Sequence, residues 1–180
     1  IEALFEEQVE RTPDSAAVES HAAGVLTYRE LHERSKKVAL LLKEIGVGVD
    51  RVVGIMMERS LEMITAIWGI LKAGGAYLPI DLEYPRERID FIIKDSGAGI
   101  LLSKGHEIIG KGDDSETEAA HWLKNLRKER GSTVCEGIEF ILLDKEPGDF
   151  KTLPYRSIPP KNNTGPTQPI SPTRLCYIIY

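Results

Sequence analysis

Three apolar segments of the chain recur at a regular spacing, with centres near Ile55, Leu78 and Leu101. The interval is about 23 residues, which leaves room for one helix between consecutive segments. Each segment is apolar throughout, which is typical of strands covered on both faces of a sheet. The pattern therefore predicts right-handed β-α-β units and an α/β fold, a three-layer, mostly parallel sheet with flanking helices.

Signals for helices fall before and between these segments. Thr27 and Glu30 have capping-box spacing at the start of one predicted helix, and Gly46 is a natural end for it. Ser60 can cap a second helix, which the glycines at 74 and 75 end. The buried stripes predicted by helical spacing are Leu31, Ser35, Val38, Leu42 and Ile45 in the first helix, Leu61, Ile64, Ile67 or Trp68, and Leu71 in the second, and Ile89, Ile92 and Ile93 in a third that runs from Pro85 to Gly97.

The flanking regions carry weaker patterns. Residues 2–10 predict a helix, Ala16–Ser20 with Val25–Thr27 predict a hairpin, and Pro79 predicts a bulge or a strand end because proline removes a ladder hydrogen bond. The later predictions are a polar loop over 104–117, an amphipathic helix over 118–130, a buried strand over 140–144, an irregular linker over 145–174 and an apolar strand over 175–180. We therefore predict an α/β subdomain over 1–144 with an insert at about 104–137, followed by the Pro-rich linker and the strand.

Bulk properties narrow the class of protein. The net charge is -5, which argues against a nucleic-acid surface, and a solvated helix face is the favoured interpretation of the basic run over 124–130. Cys135 and Cys176 form neither a disulfide framework nor zinc-site spacing, so we expect a reducing cytoplasm. No apolar run reaches the roughly 18 residues of a membrane helix. The start shows no signal peptide and no initiator Met, which predicts a piece of a longer chain.

Glycine-rich stretches and histidines offer no strong site. The stretch over 46–48 lacks the spaced third glycine and the Lys-Ser/Thr of a phosphate loop, and no buried strand leads into Gly110–Asp114. A solvated acidic loop is the favoured interpretation of the carboxylates over 113–118. The histidines have no metal-ligand spacing; they are His21, His32, His106 and His121.

Two serines and one aspartate complete the candidates. Ser60 and Ser103 belong to no Ser/His/Asp pattern, so nucleophilic catalysis has no support. Asp81 follows a predicted parallel strand, where α/β sheets often place functional groups, although a turn or cap role is favoured. We therefore assign no catalytic, cofactor-binding or metal residue in this chain.

Three stretches of the chain resemble core motifs of one family. Residues 26–31 read Leu-Thr-Tyr-Arg-Glu-Leu, similar to LTYxEL, and residues 71–81 are similar to LKAGxAYxPID. Residues 175–180 resemble the strand that precedes TSGSTGxPKG, and residues 5–18 resemble the usual entry to the domain. The chain thus resembles the N-terminal part of the adenylation domains of nonribosomal peptide synthetases, within the adenylate-forming enzymes.

The resemblance implies a parent enzyme that uses ATP and Mg²⁺ to convert an amino acid into an aminoacyl-adenylate. The acyl group would then pass to a phosphopantetheine thiol on a carrier domain. The implied partners are the rest of the adenylation domain and the adjacent condensation and carrier domains. The family's phosphate loop, ribose aspartate, substrate pocket and lysine do not occur in these 180 residues, so we expect no activity from this portion by itself.

Two alternatives stay open on the sequence. The parent could be an acyl- or aryl-CoA ligase of the same superfamily. The chain could also be a non-catalytic, split or truncated α/β interaction module. In that case, the exposed edge of the strand over 175–180 would support self-association or binding of a missing half.

Overall fold

The computed structural model describes residues 1–21, 23–104, 139–143 and 150–153. The elements are α1 Glu2–Arg11, β1 Ala16–Ser20, β2 Gly24–Thr27, α2 Tyr28–Glu44, β3 Val52–Ile55, α3 Leu61–Ala73, β4 Ala76–Pro79, α4 Arg86–Ser96, β5 Ile100–Lys104, β6 Glu139–Leu143 and β7 Phe150–Leu153. They fall into two compact units. The first contains residues 1–51 and 59–76, and the second contains residues 52–58 and 77–104 with β6 and β7.

A five-stranded sheet has the order β4-β3-β5-β6-β7. Strands β3 and β5 are parallel, as are β5 and β6, while β7 is antiparallel to β6. The amides of Ala76 and Ile80 donate to the carbonyls of Arg51 and Ile55 at one constant offset, so β4 also runs parallel to β3. The predicted α/β class with a mostly parallel sheet is therefore confirmed, and the hand of the crossovers stays a prediction.

Pro79 is the last residue of β4, which is an outer strand of the described sheet. Its side chain is exposed. Proline is tolerated at such a position because an outer strand has one row of amides with no ladder partner. The predicted strand end is confirmed.

Strand β7 lies within residues 145–174, for which the sequence predicts an irregular linker, so this prediction is wrong over residues 150–153. Phe150 pairs with Leu143 and Leu153 pairs with Phe140 across the β6–β7 ladder. Four residues with one apolar side chain at each end are too short to show the two-residue period of a strand. The predicted loop beyond Lys104, the helix over 118–130 and the strand over 175–180 lie outside the described residues.

Helix α2 begins and ends as its sequence predicts. The Thr27 hydroxyl accepts from the Glu30 amide at 3.2 Å, and the Glu30 carboxylate accepts from the Thr27 amide at 2.8 Å, which completes the capping box. At the other end, Gly46 has a φ of 87°. The amides of Gly46 and Val47 donate to the carbonyls of Lys43 and Leu42, the two bonds of a Schellman motif.

Removing this cap is expected to weaken the first unit in a pH-dependent way. Thr27→Ala should lower the free energy of unfolding by about 1 kcal/mol. The hydrogen bonds from the Thr27 amide and hydroxyl lower the pKa of the Glu30 carboxyl below 4.5. The folded state therefore binds fewer protons, so the contribution is present above pH 4.5 and is lost as pH falls through the folded pKa. Urea denaturation at several pH values should show the gap between wild type and Glu30→Gln closing below pH 4.5; a constant gap would contradict the prediction.

The buried face of α3 differs from the predicted stripe. Leu61 is buried, but the other predicted side chains are only half-buried. The residues buried instead are Thr65, Ala66, Gly69, Ile70, Lys72 and Ala73. Helix α3 is apolar on most of its circumference, so apolar spacing alone did not select a face. Small residues select the buried face of α3, because they let α3 approach α2 closely, with Gly69 packed against Val38.

Helix α4 follows its predicted spacing, and α1 follows its own only in part. Helix α4 buries Ile89, Ile92 and Ile93, as predicted, and Gly97 follows it with a φ of 66°. In α1, Phe5 is buried while Leu4 is 70% exposed. Phe5 belongs to an apolar cluster of the first unit with Leu26, Leu31 and Leu61. The predicted hairpin is present as the antiparallel pair β1–β2.

Candidate functional site

The carboxyl ends of β3, β4 and β5 lie at one edge of the sheet in the second unit. The Met56 amide donates to the Leu102 carbonyl at 2.9 Å, and the Ile80 amide donates to the Ile55 carbonyl at 2.9 Å. These bonds extend the parallel ladders one residue beyond β3 and β4. Open α/β sheets bind their ligands outside this edge. It is therefore the candidate functional site of the described residues.

Asp81 lies at this edge, directly after β4, and it forms a turn. Its Oδ1 accepts from the Glu83 amide at 2.9 Å, and its carbonyl accepts from the Tyr84 amide at 3.3 Å. A side chain that bonds the backbone two residues on is an Asx turn. The turn leads to Pro85, the residue before α4. The favoured interpretation of Asp81 as a turn residue is confirmed.

Ser103 and Lys104 end the central strand β5 at the same edge. Ser103 is fully buried, and its hydroxyl has no hydrogen-bond partner among the described residues. Lys104 is 8% exposed, which is unusual for a lysine. Successive strand residues point to opposite faces, so these two side chains do not converge on one ligand. Among the described residues of this edge, Ser103 and Lys104 thus form no catalytic pair.

Ser103→Ala is expected to leave stability unchanged or to raise it by about 1 kcal/mol, because a buried hydroxyl without a partner carries a desolvation cost. Ser35→Ala is the matched control. Ser35 is also fully buried, but its hydroxyl donates to the His32 carbonyl at 3.0 Å, so its loss should cost about 1 kcal/mol. Urea denaturation of both variants checks the contrast. A cost for Ser103→Ala equal to that for Ser35→Ala would contradict it.

The other sequence candidates have structural roles or lie outside the described residues. The Ser60 hydroxyl caps α3 by accepting from the Met63 amide at 3.2 Å, and Gly46 ends α2. His21 is exposed in the turn between β1 and β2. Within the described ranges no cluster of three or more His, Cys, Asp or Glu side chains is arranged to hold a metal ion. His106, His121 and residues 110–118 lie outside those ranges.

A charged cluster in the first unit was missed by the sequence analysis. The Lys72 side chain is 6% exposed, and its Nζ lies 3.3 Å from Oε1 of Glu6 and 3.4 Å from Nδ1 of His32. The same Nζ lies 5.4 Å from the centroid of the Phe5 ring. We call Glu6, His32 and Lys72 the α1 clasp. The signal available in the sequence was a lysine on an otherwise apolar stretch of α3.

Burial and the nearby Lys72 ammonium lower the pKa of His32 below 6.5. The ammonium is a donor only, so Nδ1 of the neutral imidazole is the atom that accepts from it. The carboxylates of Glu6 and Glu33 act in the opposite direction, and Lys36 adds to the effect of Lys72. His32 is therefore neutral near pH 7, with the single ring proton of the imidazole on Nε2.

A comparison with known families gives the clearest finding about the chain. The sequence profile described as "AMP-binding enzyme" matches residues 5–180. The chain belongs to the AMP-binding enzyme family. The resemblance found in the core motifs is thereby confirmed. The chain is similar to the N-terminal, AMP-binding portion of the adenylation domains of nonribosomal peptide synthetases.

Individual relatives agree with this assignment. Bacitracin synthase 3 of Bacillus licheniformis is 42% identical over all 180 residues, which are 2% of its own length. The AMPPNP-bound form of the nonribosomal peptide synthetase FmoA3 is 42% identical with a TM-score of 0.55, over 58% of this chain and 11% of that one. IdnL1 is 17% identical with a TM-score of 0.71, over 100% of this chain and 31% of that one, and supports the fold alone. The chain spans from 2% to 22% of the length of the first two curated relatives.

None of the helices in the described part of the chain combines the length and apolar character needed to cross a bilayer.

Proposed function

We propose that the parent of this chain activates an amino acid with ATP for nonribosomal peptide synthesis. The match of residues 5–180 to AMP-binding enzymes is the observation that carries the proposal. In the proposed reaction, a carboxylate oxygen of the amino acid attacks the α-phosphorus of ATP, and the bond to pyrophosphate breaks. The products are an aminoacyl-adenylate and pyrophosphate. The acyl group then passes to a thiol, and AMP leaves.

The part of this chain in that reaction is to build and orient the sheet edge. The glycines after α3 turn the chain into β4, and Gly74 does so with a φ of 86° that favours glycine. The Asp81 turn then sets the direction from β4 towards α4. Residues of the LKAG and PID motifs therefore position backbone rather than contact the reacting atoms.

The ATP, Mg²⁺ and phosphopantetheine of the parent reaction are part of the proposal. Mg²⁺ would offset the phosphate charge of ATP. It prefers an octahedral set of oxygen ligands, and the described residues provide no cluster that fits it, so we assign no residue to it. Phosphopantetheine would be carried by a separate carrier domain.

The proposed partners are the rest of the adenylation domain and adjacent condensation and carrier domains. The small share of bacitracin synthase 3 that this chain covers supports a multidomain parent. We also propose a cytoplasmic location, on the cysteine usage. We keep the proposed boundary at 174, while the pairing of β7 with β6 moves the end of the α/β subdomain from 144 to at least 153. Self-association through an exposed strand edge is a further proposal.

A chimera tests the proposed function. These 180 residues would replace the matching segment of a bacitracin synthase 3 adenylation domain, which the 42% identity makes feasible. We expect amino-acid-dependent exchange of pyrophosphate into ATP, within tenfold of the unmodified domain. The control is the same chimera with Gly69→Val, which should lose exchange together with its fold.

A chimera that folds, by circular dichroism and denaturation, and yet catalyses no exchange would overturn the proposal. It would favour the non-catalytic interaction module.

A further inference from the structure

We propose that the α1 clasp of Glu6, His32 and Lys72 is a pH-responsive latch that holds helix α1 on α2 and α3 while His32 is neutral and releases it when His32 is protonated. The proposal concerns the regulation of the first unit and does not depend on the proposed activity. Each of the three residues comes from a different helix: Glu6 from α1, His32 from α2 and Lys72 from α3.

The geometry makes Lys72 the centre of the latch. Its side chain is 6% exposed, whereas the Glu6 side chain is 51% exposed. A buried ammonium is costly unless its donors are satisfied. In the described structure its Nζ has one carboxylate at 3.3 Å, one imidazole nitrogen at 3.4 Å and the face of Phe5. Loss of the imidazole acceptor therefore leaves the ammonium short of partners.

Protonation of His32 removes that acceptor and adds a like charge. A proton on Nδ1 would occupy the lone pair that accepts from Nζ, and two cations would then stand 3.4 Å apart in a partly buried site. Movement of α1 relieves the conflict, because α1 supplies both Glu6 and the Phe5 ring that help to bury Lys72. The latch thus has two states that differ by one proton.

Charged side chains from all three helices act on His32. Lys72 on α3 and Lys36 on α2 oppose its protonation, while Glu6 on α1 and Glu33 on α2 favour it. Glu2 on α1 also faces Lys72, and burial raises the pKa of its carboxyl above 4.5. Its effect on stability falls as pH rises through that raised pKa, which is opposite in sign to the effect of His32.

The sign of the latch follows from the direction of the His32 shift. The pKa of His32 is lower in the folded state than in the unfolded state. As pH falls below 6.5, His32 is therefore protonated less in the folded protein than in the unfolded chain. The docking of α1 is therefore complete above pH 6.5 and weakens as pH falls towards the folded pKa. Because one proton is linked to the docking of α1, the equilibrium constant for docking can fall by up to about tenfold per pH unit within this window.

Hydrogen exchange and histidine NMR on the 180-residue chain test the latch. Between pH 7.5 and 5.5, the protection factors of α1 amides, corrected for intrinsic exchange, should fall up to about tenfold, while those of α4 amides stay constant. His32→Gln should abolish the fall, since glutamine keeps an acceptor and does not titrate. His21→Gln is the matched control, because His21 is exposed and outside the clasp, and it should behave as wild type.

Two further variants separate a latch from a merely structural contact. Lys72→Met should move the His32 titration up towards pH 6.5, and Glu6→Gln should move it down, as followed by the imidazole shifts. Opposite movements support direct coupling. The proposal is overturned if His32 titrates at 6.5 in wild type and in Lys72→Met alike, or if α1 protection does not change with pH. These readouts remain available if His32→Gln fails to fold.

Discussion

Phe5→Ala is expected to lower the free energy of unfolding of the first unit by about 3–5 kcal/mol. Phe5 is 7% exposed and is the one buried residue of α1. Its ring stacks on Trp68 with centroids 4.1 Å apart, and the centroids of Tyr28 and His32 lie at 6.0 Å and 6.4 Å. The substitution would leave a cavity and end these aromatic contacts, each worth about 0.5–1.5 kcal/mol beyond burial.

Phe91→Ala is the matched control. Phe91 lies on α4 and is 53% exposed, with Arg88 at 6.0 Å from its ring centroid. Removing an exposed ring with one cation–π contact should cost less than about 1 kcal/mol. Urea denaturation followed by far-ultraviolet circular dichroism measures both variants, since Phe5 lies in the first unit and Phe91 in the second. Equal losses for the two variants, or a loss below 1 kcal/mol for Phe5→Ala, would contradict the assigned role of Phe5.

Gly69→Ala is expected to cost about 2–3 kcal/mol, although alanine is the better helix former by about 1 kcal/mol. A Cβ at this position would lie 2.5 Å from Cγ1 and 2.6 Å from Cβ of Val38, and 3.3 Å from the Ser35 carbonyl oxygen. Truncating Val38 to alanine would keep its Cβ, so it cannot remove the overlap. Helices α2 and α3 would have to separate, which disturbs the core that both helices bury.

Gly48→Ala provides the comparison for Gly69→Ala. A Cβ at Gly48 would meet no atom within 4 Å, and its backbone is not in the left-handed region. This substitution should leave stability unchanged or raise it by about 0.4–1 kcal/mol through the unfolded state. Urea denaturation of both variants provides the measurement. A Gly69→Ala variant as stable as wild type would show that α2 and α3 do not meet at this glycine.

The correct predictions of the fold rest on local signals. The caps at Thr27 and Ser60 and the helix ends at Gly46 and Gly97 each depend on residues within four or five positions. The parallel strands were predicted because buried apolar segments and helices alternate. The Asp81 turn is also a local feature, since the hydrogen bond between its side chain and the Glu83 amide spans only two residues.

The incorrect or missing predictions involve contacts between distant residues. The buried face of α3 depends on how Gly69 fits against Val38. The α1 clasp joins residues that are 66 and 40 positions apart. Strand β7 exists through its pairing with β6, and its four residues show no period of their own. A sequence pattern does not predict such pairings unless the element is long enough for its apolar residues to show a helical or strand period.

Within the described residues, the sequence by itself determined the element types other than β7 and most of their ends, and it also determined the membership of the AMP-binding enzyme family, because each depends on short motifs. The tertiary structure decided which face of α3 is buried, that Lys72 is enclosed between Glu6 and His32, and that Ser103 reaches the sheet edge without a partner among the described residues. The physical reason is range. Capping and turn bonds are satisfied within one turn of chain, whereas burial and charge pairing depend on which distant segments pack together.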